Sequence, residues 1–206
     1  MTNVQQHQGG WSLDFIILAA GNSSRLPEAN KLLLPVSGIP LCVHAVQQAL
    51  KASSVIGGNV IVVTGFESSL IQNTITAALE GEKVTFVENR NFLNGQFSST
   101  KAGLEAITEG SPFFICLSDL PLITAAHYIK LVQYLAGFDA VRPFSGGRPG
   151  HPVLHASSLR SRILALPDTG SVREVLSGCK VNQYEDGDPA WVTDIDTISD
   201  YRALHC

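Results

Sequence analysis

Short uninterrupted apolar runs alternate along the chain with segments in which apolar residues recur every three or four positions. Apolar runs of four or five residues predict strands at 15–19, 60–63 and 113–117, and the run at 60–63 is typical of a strand buried on both faces. A further strand is predicted at 84–87. The periodic segments predict helices at about 40–56, 68–79, 99–107 and 124–135. Strands that alternate with helices in this way indicate an α/β fold, a three-layer sandwich with a mostly parallel central sheet.

The remainder of the chain is less regular. Residues 143–152 are rich in Gly and Pro and predict a structured loop. The elements expected around it are strands at 139–142, 181–184 and 191–193, short helices at 157–166 and 171–176, and a terminal helix from Ser199. The pattern predicts a flexible N-terminal tail over residues 1–12 and a single domain over residues 13–206.

Composition excludes several function classes. The 206 residues carry a net charge of −4 and contain no Lys/Arg run, so a nucleic-acid partner is not expected. The four cysteines lie far apart without CxxC spacing, which disfavours a zinc site or a disulfide scaffold. No apolar stretch approaches the roughly 20 residues of a membrane span, and the start of the chain lacks the basic residues of a signal peptide. We therefore expect a cytoplasmic protein without a membrane partner.

The first predicted strand ends in a loop of small residues that is followed by two cations. Backbone N–H groups that no bulky side chain screens can bind phosphate, and Arg25 and Lys31 would neutralise its charge. The loop fits neither a Walker A motif nor a GxGxxG fingerprint, and an ordinary turn with surface cations is the alternative. The residues of the loop are Ala20, Gly21, Asn22, Ser23 and Ser24.

Carboxylates are expected at the same edge of the sheet. Asp119 follows the strand at 113–117, and ligands of such sheets bind outside the carboxyl ends of the strands. Its carboxylate would hold Mg²⁺ with Asp194 as second ligand, or with Asp196 as second choice, because Mg²⁺ prefers oxygen ligands and bridges phosphates. Alternatively, Asp119 caps a loop, and Asp196 or Thr197 caps the terminal helix.

The histidines give weaker signals. His151 lies in the Gly/Pro-rich loop, where it is interpreted either as a substrate contact or as a core residue. It lies four residues from His155, but Pro152 and Val153 favour a strand there and disfavour a helical metal site. His44, on a helix among apolar residues, is predicted to be structural. Covalent nucleophilic catalysis finds no support, because the chain has no GxSxG motif and no convincing Cys/His couple.

Five segments, taken in order, resemble a known family. The chain is similar to the MobA-like nucleotidyltransferases, which share a nucleotide-diphospho-sugar transferase fold, and within them it looks most like the molybdenum cofactor cytidylyltransferases. The resemblance covers about residues 13–204. The matching segments are LAAGNSSR at 18–25 with Lys31, KLLLP at 31–35, GQFSSTKAGL at 95–104, GHPVL at 150–154 and DIDT at 194–197.

The resemblance implies transfer of CMP from CTP to a molybdopterin-type cofactor with release of pyrophosphate, and a recipient molybdoenzyme as a further partner. It assigns catalytic roles to Arg25, Lys31 and Asp119. It also implies that Gly150, His151 and Pro152 bind the pterin of the acceptor. The remaining nucleotide-binding residues that it implies are Leu18, Ala19, Ala20, Gly21, Asn22, Ser23, Ser24, Gly95, Ser98, Ser99 and Ser118.

Two departures from the family pattern leave alternatives open. Ser118 stands where the family usually has Gly, and its hydroxymethyl group could narrow the pocket or change the metal geometry. Leu26-Pro27 stands where Met-Gly is common. The alternatives are a guanylyltransferase, a sugar- or polyol-phosphate cytidylyltransferase of the same fold, or a non-catalytic chaperone for the cofactor. A nucleotide-dependent oxidoreductase is disfavoured because the loop lacks GxGxxG.

Overall fold

A mixed, mostly parallel sheet of eight strands lies at the centre of the computed structural model, which describes residues 13–21 and 30–204. Its strands in chain order are β1 (Asp14–Ala19), β4 (Val60–Thr64), β5 (Thr85–Glu88), β6 (Phe113–Leu117), β7 (Ala140–Ser145), β8 (Arg148–Pro149), β9 (Val153–His155) and β10 (Val181–Glu185). They are arranged in space as β10-β7-β9-β6-β1-β4-β5, with β8 paired to β7. The short strands β2 (Pro35–Val36) and β3 (Ile39–Pro40) form a separate hairpin.

Helices cover both faces of the sheet. The α-helices are α1 (Leu41–Ile56), α2 (Ser68–Ala78), α3 (Gln96–Ala106), α4 (Ala125–Val132), α5 (Leu159–Leu164), α6 (Val172–Ser177) and α7 (Ile198–Ala203). Short 3₁₀ helices lie at Lys31–Leu33, Phe92–Asn94 and Pro189–Val192.

β1 is buried on both faces because it lies in the middle of the sheet. It pairs in parallel with β4 on one side and with β6 on the other. Side chains alternate across a strand, so Phe15 and Ile17 belong to the core under α1 and α4, whereas Ile16 and Leu18 belong to the core under α3, α5 and α6. This double burial explains why the sequence of the strand is apolar without alternation.

The direction of β9 decides which loops meet at the carboxyl edge of the sheet. β9 lies between β6 and β7 and runs antiparallel to both. Its amino end, where Gly150, His151 and Pro152 lie, is therefore at the same edge as the carboxyl ends of β1 and β6. The Gly/Pro-rich segment thus forms the hairpin of β7 and β8 and then returns to this edge.

The structure confirms the α/β fold class and most of the predicted elements, with ends that shift by a few residues. The strand predicted at 191–193 is wrong. Pro189 starts a 3₁₀ helix there, the Asp188 carboxylate accepts a hydrogen bond from the backbone N–H of Ala190 at 2.9 Å, and the Trp191 side chain is fully buried. The third predicted helix begins at Gln96, three residues earlier than expected.

Other expectations concern single residues or the ends of the chain. Cys42 and Cys116 are buried, and their thiols are free. The imidazole of His44 contacts the carbonyl of Val36 at 2.7 Å, in agreement with a structural role. Residues 1–12, the predicted tail, lie outside the described residues. Among the helices of the described residues, none is long and apolar enough to cross a membrane.

Candidate active site

A cavity of about 340 Å³ opens where β1 and β6 end side by side. The two strands are in parallel register, with Leu18 opposite Leu117, so the residues that follow them meet at the rim. The lining residues include several predicted site residues, namely the nucleotide-binding residues Leu18, Ala20, Gly21, Lys31, Gly95, Ser99 and Ser118 and the metal ligand Asp119, together with Leu32, Phe92, Leu93, Gln96 and Leu117.

Lys31 and two carboxylates form a charged cluster at this cavity. The Lys31 Nζ atom lies 2.7 Å from Asp119 Oδ2 and 2.9 Å from Asp196 Oδ1, and it donates a hydrogen bond to the Ile195 carbonyl at 3.0 Å. Burial opposes the charged form of Lys31, but the charges of Asp119 and Asp196 outweigh this effect and raise its pKa. Lys31 is therefore a fixed cation near neutral pH.

Local hydrogen bonds hold each member of this cluster in place. Asn30 caps the 3₁₀ helix that carries Lys31, because its side-chain oxygen accepts a hydrogen bond from the backbone N–H of Leu32. The N–H of Ile195 donates to the carbonyl of Asp119 at 3.0 Å, which fixes the segment 194–196 against the end of β6. Thr197 then caps α7 and forms a capping box with Asp200, as one of the alternatives had predicted.

Asp194 and Asp196 differ in their surroundings although both lie near Asp119. Asp196 makes the ion pair with Lys31, whereas Asp194 is exposed. Although the residue as a whole is exposed, desolvation of its carboxylate raises the pKa of Asp194, and the negative charges of Asp196 and Asp119 raise it further. Three carboxylates thus repel one another at the site, an arrangement that a bound cation would relieve.

Asp119 carries the feature that best fits a metal ligand. Its Oδ2 atom binds Lys31, but its Oδ1 atom is buried and has no hydrogen-bonding partner among the described residues. A buried carboxylate oxygen without a partner fits an oxygen-seeking divalent cation. Within residues 13–21 and 30–204, no three His, Cys, Asp or Glu side chains are grouped closely enough to form a complete metal site by themselves. A cation here would also need oxygens from substrate or water.

The two serines of the GQFSSTKAGL segment lie in different positions. Ser99 lines the cavity, whereas Ser98 does not; its hydroxyl bonds the carbonyls of Asn91 and Gly95. Both hydroxyls accept hydrogen bonds from Asn89 Nδ2, at 2.8 and 2.9 Å. Asn89 was not predicted as a site residue, although its position directly after β5 was a usable signal. Gly95 joins the 3₁₀ helix to α3 with φ at +95°, a conformation that favours glycine.

The hydroxyl group of Ser118 forms a hydrogen bond between two strands. Its Oγ atom donates a hydrogen bond to the Leu18 carbonyl at 2.7 Å, and the residue is buried. The hydroxyl therefore links the end of β6 to the end of β1. The departure from the family pattern thus adds a contact between two strands.

His151 lies at the rim of a second cavity, on the β9 side of the same edge. Its Nδ1 atom is 3.5 Å from the Ile115 carbonyl. Burial lowers the pKa of His151 to about 4, so the ring is neutral near neutral pH. Gly150 precedes it with its backbone against Trp191, where a Cβ atom would lie 2.4 Å from the Trp191 carbonyl oxygen. A larger residue at 150 would displace the hairpin.

Four predicted site residues fall outside the described part of the chain. They are Asn22, Ser23, Ser24 and Arg25, and their assignment to phosphate binding stays a prediction. The adjoining Ala20 and Gly21 line the cavity, as expected for the start of that loop.

A sheet of this topology, with a lysine and carboxylates beside a cavity at its carboxyl edge, defines a nucleotidyltransferase-like α/β protein. The chain belongs to the MobA-like NTP transferase family, because the model of the MobA-like NTP transferase domain matches residues 15–186. It is therefore a nucleotidyltransferase by family, with a nucleoside triphosphate as substrate.

Individual relatives agree with this assignment. The chain is 26% identical over 190 residues to the molybdenum cofactor cytidylyltransferase of Escherichia coli K12, covering 92% of this chain and 94% of the relative. Among solved structures, Rv0371c of Mycobacterium tuberculosis superimposes with a TM-score of 0.76 at 24% identity, covering 94% and 97% of the two chains. A nucleotidyl transferase from Methanothermobacter thermautotrophicus gives 0.77 at 22% identity, covering 95% and 96%. The solved structures support the fold.

Proposed function

We propose that the protein transfers CMP from CTP to the terminal phosphate of molybdenum-loaded molybdopterin. An oxygen of that phosphate forms a bond to the α-phosphorus of CTP, the bond from this phosphorus to the β-bridging oxygen breaks, and pyrophosphate leaves. No general base is needed, because a phosphate monoester is already ionised near neutral pH. The protein has to neutralise charge and align the two phosphates.

The observation that carries this proposal is the charged cluster of Lys31, Asp119 and Asp196 beside the cavity that Ala20 and Gly21 line. Lys31 would stabilise the negative charge that develops on the triphosphate, and Arg25 is proposed to add a second cation. The N–H groups of the loop from Ala20 would bind the outer phosphates.

Asp119 and Asp194 are the residues proposed to hold Mg²⁺, with Asp196 as the other candidate. When bound, Mg²⁺ would add positive charge beside the triphosphate oxygens. The unpartnered Oδ1 atom of Asp119 and the mutual repulsion of the carboxylates support this choice. On the acceptor side, Gly150, His151 and Pro152 are proposed to contact the pterin. The activity of the E. coli relative supports CTP and the molybdenum cofactor as substrates.

Pyrophosphate release tests the proposal directly. We expect release from Mg·CTP that depends on molybdenum-loaded molybdopterin and is much weaker with GTP, ATP or UTP. Release with GTP and none with CTP would reject the assignment of the base. Nucleotide binding without turnover of any of the four triphosphates would contradict the transferase and favour a chaperone that carries the cofactor.

A further inference from the structure

A second cavity, of about 570 Å³, adjoins the first one, and Gln96 lines both. One wall is the sheet face formed by β6, β7 and β9, and the opposite wall is formed by α3 and α6. Arg142 and Phe144 both face this cavity, since residues two apart on a strand lie on the same side of the sheet. A strand that is otherwise part of the core thus carries a cation into the cavity.

Two arginines in this cavity have no negative partner among the residues that the structure describes. Arg142 is half-buried, and its Nε atom is buried without a hydrogen-bonding partner among the described residues. Arg173 also lines the cavity, from α6. Burial lowers the pKa of the Arg142 guanidinium, and the positive charge of Arg173 lowers it further, so the two groups repel each other.

The other titratable groups around the cavity do not balance these charges. None of the described residues that line it is acidic, and the neighbouring Glu174 is engaged with the Ser171 hydroxyl at 3.0 Å. His151 and His155 also line the cavity, and burial lowers their pKa values to about 4 and about 3. Both rings are neutral near neutral pH, so the cavity has a net positive charge. A buried polar atom such as Arg142 Nε normally has a partner, and a bound anion would supply one.

We propose that this cavity binds a second anionic group of the acceptor, other than the phosphate that reacts, and that Arg142 and Arg173 hold that group. A guanidinium pair without carboxylates suits a planar or tetrahedral oxyanion, because each group offers several donors in a fixed fork. The proposal rests on the proposed function, since it assigns one part of the acceptor of that reaction.

The position of His151 gives the direction in which the acceptor lies. β9 lies between β6, which Asp119 follows, and β7, which carries Arg142, so His151 at the start of β9 lies between the charged cluster and Arg142. An acceptor whose phosphate reacts near Asp119 would pass His151 and bring its second anionic group to the arginine pair. Phe97, Phe144 and Val153 provide apolar surface along the cavity for the ring system of the acceptor.

The binding test uses inorganic phosphate as the probe, with Mg·CTP present at saturation to fill the nucleotide side. The Arg142 Nε–H resonance, assigned by its loss in Arg142→Lys, reports on the cavity. We expect phosphate to shift this resonance with saturation, and Arg173→Gln to weaken the apparent affinity at least roughly fivefold. Arg90→Gln is the matched control, because Arg90 is exposed on the surface and lies 4.0 Å from Glu88.

A kinetic test asks the same question during turnover. Arg173→Gln is expected to raise the KM for the acceptor at least roughly tenfold while the KM for CTP stays within about twofold of wild type. Arg173 is exposed, so this variant is expected to fold even where Arg142 variants do not.

The outcomes separate the two proposals. An Arg142 resonance that does not respond to phosphate, or that responds equally in Arg173→Gln, would overturn the anion site. A wild-type protein that releases no pyrophosphate with any acceptor would overturn the proposed function and leave the phosphate titration to decide the inference.

Discussion

The two cavities at the carboxyl edge of the sheet differ in whether their cations are paired with carboxylates. On the β1 side, Lys31 is paired with Asp119 and Asp196 at 2.7 and 2.9 Å. On the β7 side, Arg142 and Arg173 lie beside a cavity without an acidic lining residue among those described. A lysine between carboxylates is held in position before any ligand arrives, whereas two unpaired guanidiniums gain most from a ligand that brings negative charge.

The difference has a structural origin. In the paired cluster, Lys31 and Asp119 follow the parallel strands β1 and β6, and Asp196 comes from the segment before α7, which the N–H of Ile195 ties to the Asp119 carbonyl. The unpaired cations come from β7 and α6, on the other side of the antiparallel strand β9. A single reversed strand thus separates a side suited to positioning a metal-bound triphosphate from a side suited to recognising an anionic acceptor.

The largest expected effect on the rate comes from removing Lys31 or Asp119 from the charged cluster. Lys31→Ala and Asp119→Ala are each expected to lower kcat/KM for nucleotidyl transfer by roughly 10²-fold or more, about 2.7 kcal/mol of transition-state stabilisation. The reason is the loss of the fixed cation or of the proposed metal ligand. Steady-state pyrophosphate release measures the effect.

Lys130→Ala is the matched control for that experiment. Lys130 forms an ion pair of 3.0 Å with Asp186 on the surface, and neither residue lines either cavity. Lys130→Ala therefore removes a lysine–aspartate ion pair that lies outside the proposed site. We expect kcat/KM of this variant within about twofold of wild type, because exposed ion pairs contribute roughly 0–1 kcal/mol. A near-normal rate for Lys31→Ala or Asp119→Ala would mean that the catalytic site lies elsewhere.

A smaller effect is expected from replacing Asp194 or Asp196, one at a time, in the cluster around Lys31. Asp194→Asn should weaken activation by Mg²⁺ about tenfold, because it removes a proposed charged ligand of the metal. Asp196→Asn should affect Mg²⁺ less and kcat more, since Asp196 is engaged with Lys31. Rates measured against Mg²⁺ concentration separate the two variants. The reverse order of sensitivity to Mg²⁺ would assign Asp196 as the metal ligand.

The smallest effect is expected at Ser118. Ser118→Gly removes a hydrogen bond to the Leu18 carbonyl and restores the residue usual in the family. We expect the free energy of unfolding to fall by about 1–2 kcal/mol, from the lost hydrogen bond and the added freedom of glycine, with kcat/KM within roughly threefold of wild type. Denaturant unfolding and steady-state kinetics measure the two quantities. A tenfold change in rate without loss of stability would show that the hydroxyl acts in the reaction.

Periodicity was sufficient to predict the central parallel strands and most helices, because β1, β4 and β6 are almost completely buried. It did not predict β8 or the antiparallel direction of β9. It failed at Trp191, where apolar residues indicated a strand and the Asp188-Pro189 start produced a 3₁₀ helix. Tertiary burial of a large aromatic residue outweighed the local β propensity.

Two members of the charged cluster, Lys31 and Asp119, could be predicted from the sequence, since each follows a predicted strand. The ion pair of Lys31 with Asp196 was not predicted, because it joins residues 165 positions apart through the backbone contact at Ile195. The arginine side was also missed. Arg142 gave a signal, a cation inside an apolar strand, but nothing local to Arg173 indicates that α6 brings it to the same cavity.

The most direct test of a two-sided site measures binding of Mg·CTP and of inorganic phosphate to the same three proteins: wild type, Asp119→Ala and Arg173→Gln. Calorimetry follows the nucleotide, and the Arg142 Nε–H resonance follows phosphate. Asp119→Ala is predicted to lose affinity for Mg·CTP alone, and Arg173→Gln to lose affinity for phosphate alone. A variant that weakens both ligands to the same extent would contradict the division of the edge into a nucleotide side and an acceptor side.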